Sequence, residues 1–137
     1  MIYHMCPYSS WVECLQTPGK EYYPPNYEQD GFIHATKDFD VDLLLSIANH
    51  FYKDGSPGDE EWVVLGIDTK KLKSRVVLEK AAPVGETAEY RDGGDEEMLF
   101  PHIYGTIDTC AVTGMYAMKR DSESGVFLGV DGGNMMS

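Results

Sequence analysis

Positive charge is scarce in this 137-residue sequence, which has 11 lysines and arginines against 23 aspartates and glutamates. The formal net charge is −12 at pH 7. Proteins that bind a phosphate backbone need clustered lysine and arginine, so this balance argues against a nucleic-acid partner or an anionic membrane surface. The basic residues that do cluster are more simply the solvated face of a strand-turn-strand unit. They are Lys70, Lys71, Lys73, Arg75 and Lys80.

Cysteines and long apolar runs are also few. Cys6, Cys14 and Cys110 are odd in number and form no Cys-x-x-Cys pair, which argues against a disulfide framework and indicates a reducing compartment. No apolar stretch approaches the length of a membrane span, and no basic segment followed by an apolar one marks a secretion signal. We therefore expect a soluble, cytoplasmic protein with no membrane partner.

The residues that are present predict one compact α+β domain. An apolar share of 42% is typical of a folded globule, and the length suits a single core. Aromatic and apolar segments predict several strands, and a nearly continuous apolar run at 62–67 predicts a central strand covered on both faces. The predicted strands cover residues 2–5, 31–35, 62–67, 75–79, 111–118 and 126–128.

Two short helices are predicted in the N-terminal half. Residues 10–13 match a capping box, with Ser10 and Glu13 satisfying the first free amides of a helix that ends before Pro18. Its buried stripe is predicted to contain Trp11, Cys14 and Leu15. Asp40 is predicted to cap a second helix, in which apolar residues from Leu43 to Phe51 recur at helical spacing.

The other segments are predicted to be irregular. Residues 21–30, with two prolines and three tyrosines, indicate an extended loop. Residues 83–97 combine glycines with six carboxylates and one arginine, which indicates an acidic surface insertion. Residues 119–137 are predicted to be a C-terminal extension with a last short strand and a disordered tail, following a domain over residues 1–118.

Three of the four histidines lie in short aromatic and apolar segments. These are Ile2-Tyr3-His4, Gly31-Phe32-Ile33-His34 and Phe100-Pro101-His102-Ile103-Tyr104-Gly105. A buried histidine is costly unless its ring nitrogens find partners, and functional groups tend to cluster, so we expect strands to bring the three rings to one pocket. The fourth, His50, is expected to be a half-exposed helix residue without a chemical role.

Two chemistries suit such a pocket. Zinc held by His4, His34 and His102 with an open water position would make a hydrolase, although the sequence lacks a His-x-x-x-His pair. A site without metal would bind a sugar hydroxyl through a histidine and fix a carboxamide or phosphate through Thr36. Glu79, at the end of an apolar strand, would then stabilise the positive charge that develops when a glycosidic bond breaks.

The histidine motifs also carry a family resemblance. Tyr3-His4, Trp11, Gly-Phe-Ile-His-Ala-Thr at 31–36, Val-Leu-Gly-Ile-Asp at 64–68 and Phe-Pro-His-Ile-Tyr-Gly at 100–105 together resemble domain-of-unknown-function family 952 (DUF952) over residues 1–118. The resemblance implies an ADP-ribosyltransferase-like fold, the ADP-ribosylation fold, which is a compact α+β domain with a split, mostly antiparallel sheet.

The same resemblance implies roles for seven residues. Tyr3 and His4 match the first-strand position that holds the ribose of NAD, and His34 and Thr36 lie in the second motif. Either His102 or Glu79 occupies the place of the catalytic glutamate, and Tyr104 positions the ligand ring with Thr36. NAD enters as a substrate, and no resident cofactor is implied.

These implications give one expectation and two alternatives. The expected protein binds NAD, ADP-ribose or a related nucleotide-like small molecule in a histidine-lined cleft, and transfers or hydrolyses at an N-glycosidic bond. The first alternative is a non-catalytic ligand-binding or structural module. The second is the zinc-dependent hydrolase.

Overall fold

The computed structural model describes residues 1–19, 21–85, 87–90 and 98–131. Within these ranges the chain forms seven β-strands and three α-helices. The strands are β1 (Ile2–Pro7), β2 (Ile33–His34), β3 (Trp62–Ile67), β4 (Arg75–Lys80), β5 (Leu99–Tyr104), β6 (Val112–Arg120) and β7 (Phe127–Val130). The helices are α1 (Tyr8–Gln16), α2 (Tyr27–Asp30) and α3 (Val41–Phe51).

The described strands make two antiparallel sheets. The first has four strands in the order β1-β3-β6-β7, and the second has three in the order β2-β5-β4. This arrangement confirms the predicted α+β class with antiparallel sheets and few helices.

A backbone bridge connects the two sheets. Tyr3 in β1 and Thr36, two residues after β2, form an isolated antiparallel bridge, in which each backbone amide donates to the other residue's carbonyl oxygen at 2.9 and 2.8 Å. Residues on the two sides of this bridge therefore lie at the border between the sheets, which is where the candidate site is found.

Two apolar cores share the central strand β3. All six residues of β3 are buried, as the continuous apolar run predicted. Because side chains alternate along a strand, Val63, Leu65 and Ile67 pack in one core with β1, α1 and the three-stranded sheet. Trp62 and Val64 pack in the second core, which contains the apolar stripe of α3.

Of the two predicted N-terminal helix caps, one is confirmed and one is wrong. Asp40 caps α3, since its Oδ1 accepts from the amide of Leu43 at 3.2 Å. The capping box at Ser10 is wrong, because α1 begins at Tyr8, directly after β1 ends at Pro7. The amide of Tyr8 donates to the carbonyl of Glu61 at 2.8 Å, so a contact with the chain before β3 satisfies this helix end. Leu15, predicted to be buried, is 55% exposed.

The loop predicted at 21–30 contains α2, and Gly31 ends this helix with a φ of 82°, in the left-handed region that favours glycine. Because Gly31 terminates a helix, β2 begins only at Ile33 and covers two residues, whereas the predicted strand covered 31–35. β6 continues past residue 118 to Arg120 and pairs with β7. The predicted tail beyond 131 and the parts of the acidic insertion at 86 and 91–97 lie outside the described residues.

Among the residues described, no helix has the length and apolar character needed to cross a membrane.

Candidate functional site

His4 joins the two sheets next to the Tyr3–Thr36 bridge. Its Nδ1 donates to the carbonyl oxygen of His34 at 2.6 Å, so a β1 side chain binds the main chain of β2. The ring is buried, with 4% of the residue exposed, and burial lowers the pKa of His4 to about 4. The neutral ring of His4 thus connects β1 to β2 by a hydrogen bond at the border between the two sheets.

His34 and His102 lie opposite each other in the pairing of β2 with β5. Side chains of directly opposed residues share one face of an antiparallel sheet, and the two ring centroids are 5.4 Å apart with an interplanar angle of 71°. The imidazole rings of His34 and His102 therefore lie together. The ring of His4 instead contacts the backbone carbonyl of His34.

A carboxylate orients the ring of His102. Nδ1 of His102 donates to Oε1 of Glu79 at 2.9 Å, and the hydroxyl of Tyr104 donates to the same oxygen. These two hydrogen bonds, that of Tyr104 first, hold the pKa of Glu79 below its usual range. Phe32 stacks on the His102 ring with centroids 4.1 Å apart, so both the tautomer and the position of the ring are set.

The second ring has a carboxylate that the sequence analysis missed. Nε2 of His34 donates to Oδ2 of Asp30 at 3.2 Å, and Oδ1 of Asp30 accepts from the amide of Gly85 at 3.1 Å. Burial lowers the pKa of His34, an effect larger than the opposing attraction of Asp30. Asp30 is the last residue of α2, a helix that was not predicted because the prolines and tyrosines of 21–30 are typical of a loop. The position of Asp30 four residues before His34 was the sequence signal that could have indicated this contact.

The face of the three-stranded sheet that carries these rings opens into an aromatic pocket. The empty volume of the pocket, including the part open to solvent, is about 470 Å³. Aromatic and apolar side chains make most of its wall, and the polar ones come from His34, Thr36 and His102. The lining residues are Tyr3, Met5, His34, Ala35, Thr36, Ile47, Phe51, Tyr52, Ala81, Ala82, Tyr90, Phe100 and His102.

A wider acidic groove adjoins the aromatic pocket, and the two cavities share Met5, His34, Phe51 and Tyr52. The groove has an empty volume of about 1100 Å³, again including open solvent. Its polar lining comes chiefly from His4, Asn26, Gln29, Asp30, Ser56, Glu60 and Thr87. Neither cavity has a lysine or an arginine among the described residues that line it.

The seven residues singled out in the sequence occupy three kinds of position. Tyr3, His34, Thr36 and His102 line the aromatic pocket, and His4 lines the acidic groove. Glu79 and Tyr104 are not among the lining residues: Glu79 accepts from Nδ1 of His102, and Tyr104 donates to Glu79. Phe51, Tyr52 and Phe100 were missed as lining residues because their helical or strand periodicity indicates only core packing.

Within the described part of the chain, no group of three or more histidine, cysteine, aspartate or glutamate side chains is placed to hold a metal ion. The three-histidine zinc site predicted as an alternative is therefore not found. One nitrogen of each ring is occupied by protein, by the carbonyl of His34 for His4, by Asp30 for His34 and by Glu79 for His102.

The arrangement suits proton transfer and hydrogen bonding. A carboxylate that accepts from one ring nitrogen leaves the lone pair of the neutral imidazole on the other nitrogen. For His102 that nitrogen is Nε2, which is buried and has no hydrogen-bond partner among the described residues. A buried polar atom of this kind is uncommon, and Nε2 of His4 is a second one, so both nitrogens are open to a hydrogen bond from a ligand.

Comparison with known proteins identifies the fold and the family. The crystal structure of protein CC0527 from Caulobacter crescentus is similar, with a TM-score of 0.63 and 20% identity over 93% of this chain and 92% of that chain. The structure of a double mutant of CC0527 matches with the same values. At this identity the likeness concerns the fold alone, and the search of curated proteins finds no match. A family model described as "Protein of unknown function (DUF952)" matches residues 5–115, most of the chain, which therefore belongs to the DUF952 family.

Proposed function

We propose that this protein binds a nucleotide-like small molecule at the border between its two sheets. A planar ring occupies the aromatic pocket, and the attached sugar lies in the adjoining acidic groove. One observation carries the proposal: the buried Nε2 of His102 has no partner among the described residues, in a residue that lines a largely aromatic pocket. A hydrogen-bond donor on the ligand would satisfy this atom.

The lining of the two cavities supports this placement. The wall of the aromatic pocket includes Tyr3, Phe51, Tyr52, Tyr90 and Phe100, whose faces suit a flat heterocycle. Thr36 lines the pocket, and its hydroxyl, which donates to the carbonyl of Asp38 at 3.4 Å, can still accept from a carboxamide. His4, Asn26 and Asp30 line the groove and can contact ribose hydroxyls.

The proposal extends to an ADP-ribosylation fold and to NAD as substrate. Its support is the resemblance of the histidine motifs, together with two antiparallel sheets that meet beside Tyr3 and His4, the residues matched to the ribose-binding strand. In the hydrolytic form of the reaction, Nε2 of His102 takes a proton from water and the water oxygen bonds to the ribose C1′. The bond from C1′ to the pyridinium nitrogen breaks, and its electron pair leaves with neutral nicotinamide.

The non-catalytic alternative also has a specific observation in its favour. Glu79 already accepts from both Tyr104 and His102, so its carboxylate is engaged within the protein. A carboxylate that stabilises a developing oxocarbenium ion must contact the sugar. A module that binds ADP-ribose without turnover would need Glu79 only to position His102.

The test is a titration with NAD, ADP-ribose and nicotinamide riboside, followed by calorimetry and thermal unfolding. A ligand at 100 times its dissociation constant adds about 2.7 kcal/mol to the free energy of unfolding, which raises Tm by roughly 5 °C or more. His102→Ala should abolish the shift, whereas Leu128→Ala, at a residue that is 62% exposed on β7, should retain it. If none of the three ligands binds, the proposal is wrong.

Release of nicotinamide from NAD separates the two forms of the proposal. If wild type releases nicotinamide from NAD and His102→Ala does not, the protein is the enzyme. Binding of ADP-ribose without any nicotinamide release identifies the module.

A further inference from the structure

We infer that this site selects a planar cation carrying N–H donors, such as an N-alkylated pyridine carboxamide, over neutral and anionic analogues. The inference rests on the proposed function and specifies the charge and the hydrogen-bonding pattern of its ligand. Three features of the described residues support it: the hydrogen-bond acceptors that the site presents, its charge, and its aromatic faces.

The two histidines of the aromatic pocket present acceptors. Because Nδ1 of His102 donates to Glu79, the neutral ring carries its lone pair on Nε2. Because Nε2 of His34 donates to Asp30, the lone pair of that ring is on Nδ1. Burial lowers the pKa of His34, which favours the neutral form of the ring. A ligand that satisfies such atoms must bring N–H or O–H groups.

The charge around the two rings is negative. Asp30 lies 3.2 Å from the ring of His34 and Glu79 lies 2.9 Å from the ring of His102. The side chain of Asp30 is only 7% exposed, so solvent screens its charge weakly. Glu60 adds a carboxylate to the groove, and no lysine or arginine stands among the described lining residues. A phosphate or carboxylate on the ligand would be repelled by Asp30 in particular, because Arg120 donates to Ser56 and to the carbonyl of Glu60 at the groove and offsets the charge of Glu60.

The aromatic faces add attraction for the same ligand. A cation over the face of a tyrosine, tryptophan or phenylalanine ring is stabilised by the ring's quadrupole, and more so where water is excluded. The rings of Tyr3, Phe51, Tyr52, Tyr90 and Phe100 surround the pocket. In a dinucleotide ligand, the pyridinium ring therefore belongs in the pocket and the pyrophosphate belongs outside both cavities.

Three nearly isosteric ligands test the charge directly: 1-methylnicotinamide is a cation, nicotinamide is neutral, and nicotinate is an anion at pH 7. Calorimetry should show that the cation binds at least tenfold more tightly than nicotinamide and that nicotinate binds most weakly. Nicotinamide riboside and ADP-ribose repeat the comparison on larger ligands, and the cationic riboside should bind more tightly.

The outcomes separate the inference from the proposed function. If nicotinate binds as tightly as 1-methylnicotinamide, or ADP-ribose as tightly as nicotinamide riboside, cation selection is wrong while nucleotide-like binding stands. If none of the five ligands binds, both are wrong.

A variant pair locates the selecting charge. Asp30→Asn keeps an oxygen that can accept from the amide of Gly85 and removes the negative charge, so it should reduce the preference for 1-methylnicotinamide over nicotinamide severalfold. Asp42→Asn removes an equal charge from an exposed position in the first turn of α3 and should leave the ratio unchanged. If Asp30→Asn fails to fold, Glu60→Gln tests the same charge effect, because it removes a different carboxylate from the groove. An unchanged ratio in both site variants would overturn the assignment of the charge.

Discussion

At the scale of single residues, burial and the choice of hydrogen-bond partner decide what each histidine does. The neutral ring of His4 connects β1 to the main chain of β2. The ring of His102 is oriented by Glu79 and stacked on Phe32, with one nitrogen left for a ligand. In both rings Nδ1 makes a contact within the protein, and Nε2, which has no partner among the described residues, has the proposed role in binding.

His4 makes stability depend on pH in a defined window. Its pKa is about 4 in the folded state against 6.5 as the ordinary value, so the unfolded chain binds a proton that the folded chain does not. Stability is therefore fully present above pH 6.5 and falls as the pH decreases towards 4. A difference of this size corresponds to a loss of about 3 kcal/mol.

Urea unfolding at intervals between pH 4 and pH 7 measures this loss. His4→Gln should flatten the dependence in that window by about 3 kcal/mol relative to wild type. His50→Gln, at an exposed position of α3, should leave the dependence as it is in wild type. If the free energy of unfolding falls with pH equally in wild type and in His4→Gln, protonation of the buried His4 does not destabilise the folded state.

At the scale of elements, the helix starts offer the clearest measurement. Asp40 accepts from the amide of Leu43, so Asp40→Ala should lower the free energy of unfolding by about 1 kcal/mol, while Asp40→Asn should retain most of it. Ser10 lies inside α1 rather than at its start, so Ser10→Ala should change the value by only a few tenths of a kcal/mol. A large loss in Ser10→Ala would mean that α1 begins where the capping box predicted.

These helices also show which parts of the fold the sequence could predict. β3 was predictable from its continuous apolar run, and α3 was predictable because its apolar residues recur at helical spacing. The start of α1 was not, since it depends on where β1 ends and on an amide that binds Glu61, far away in sequence. Local patterns contain no information about such tertiary contacts.

The candidate site divides in the same way. His34 and His102 could be found because histidine is unusual in apolar strands, and the opposed strands bring the two together. Thr36 could be found because it follows His34 by two residues. Asp30 was missed because its contact with His34 depends on α2, whose sequence is typical of a loop. The aromatic lining was missed because a side chain that borders a cavity and one that fills a core have the same sequence pattern.

At the scale of the whole molecule, β3 couples the two cores. One core contains Trp11 and the other contains Trp62, and the strand contributes side chains to both. Because each core loses packing when β3 leaves the sheet, the described domain should unfold as a unit.

The two tryptophans provide the probes for this cooperativity. Trp62→Phe leaves Trp11 as the reporter of the first core, and Trp11→Phe leaves Trp62 as the reporter of the second. For each variant, the urea transition followed by tryptophan fluorescence should coincide with the transition followed by circular dichroism. Fluorescence midpoints separated from the circular dichroism midpoint would indicate cores that unfold independently.

The proposed ligand occupies the border between the two sheets and contacts His102. Long-range ¹H–¹⁵N NMR of the histidine rings, recorded during a titration with nicotinamide riboside, detects this contact. The Nε2 signal of His102 should shift until the ligand saturates the site, and the ring signals of His34 should shift with it, while the amides of Thr69–Lys71, which line neither cavity, should stay unchanged. Saturable binding without any shift of the His102 ring signals would show that the ligand does not contact this residue.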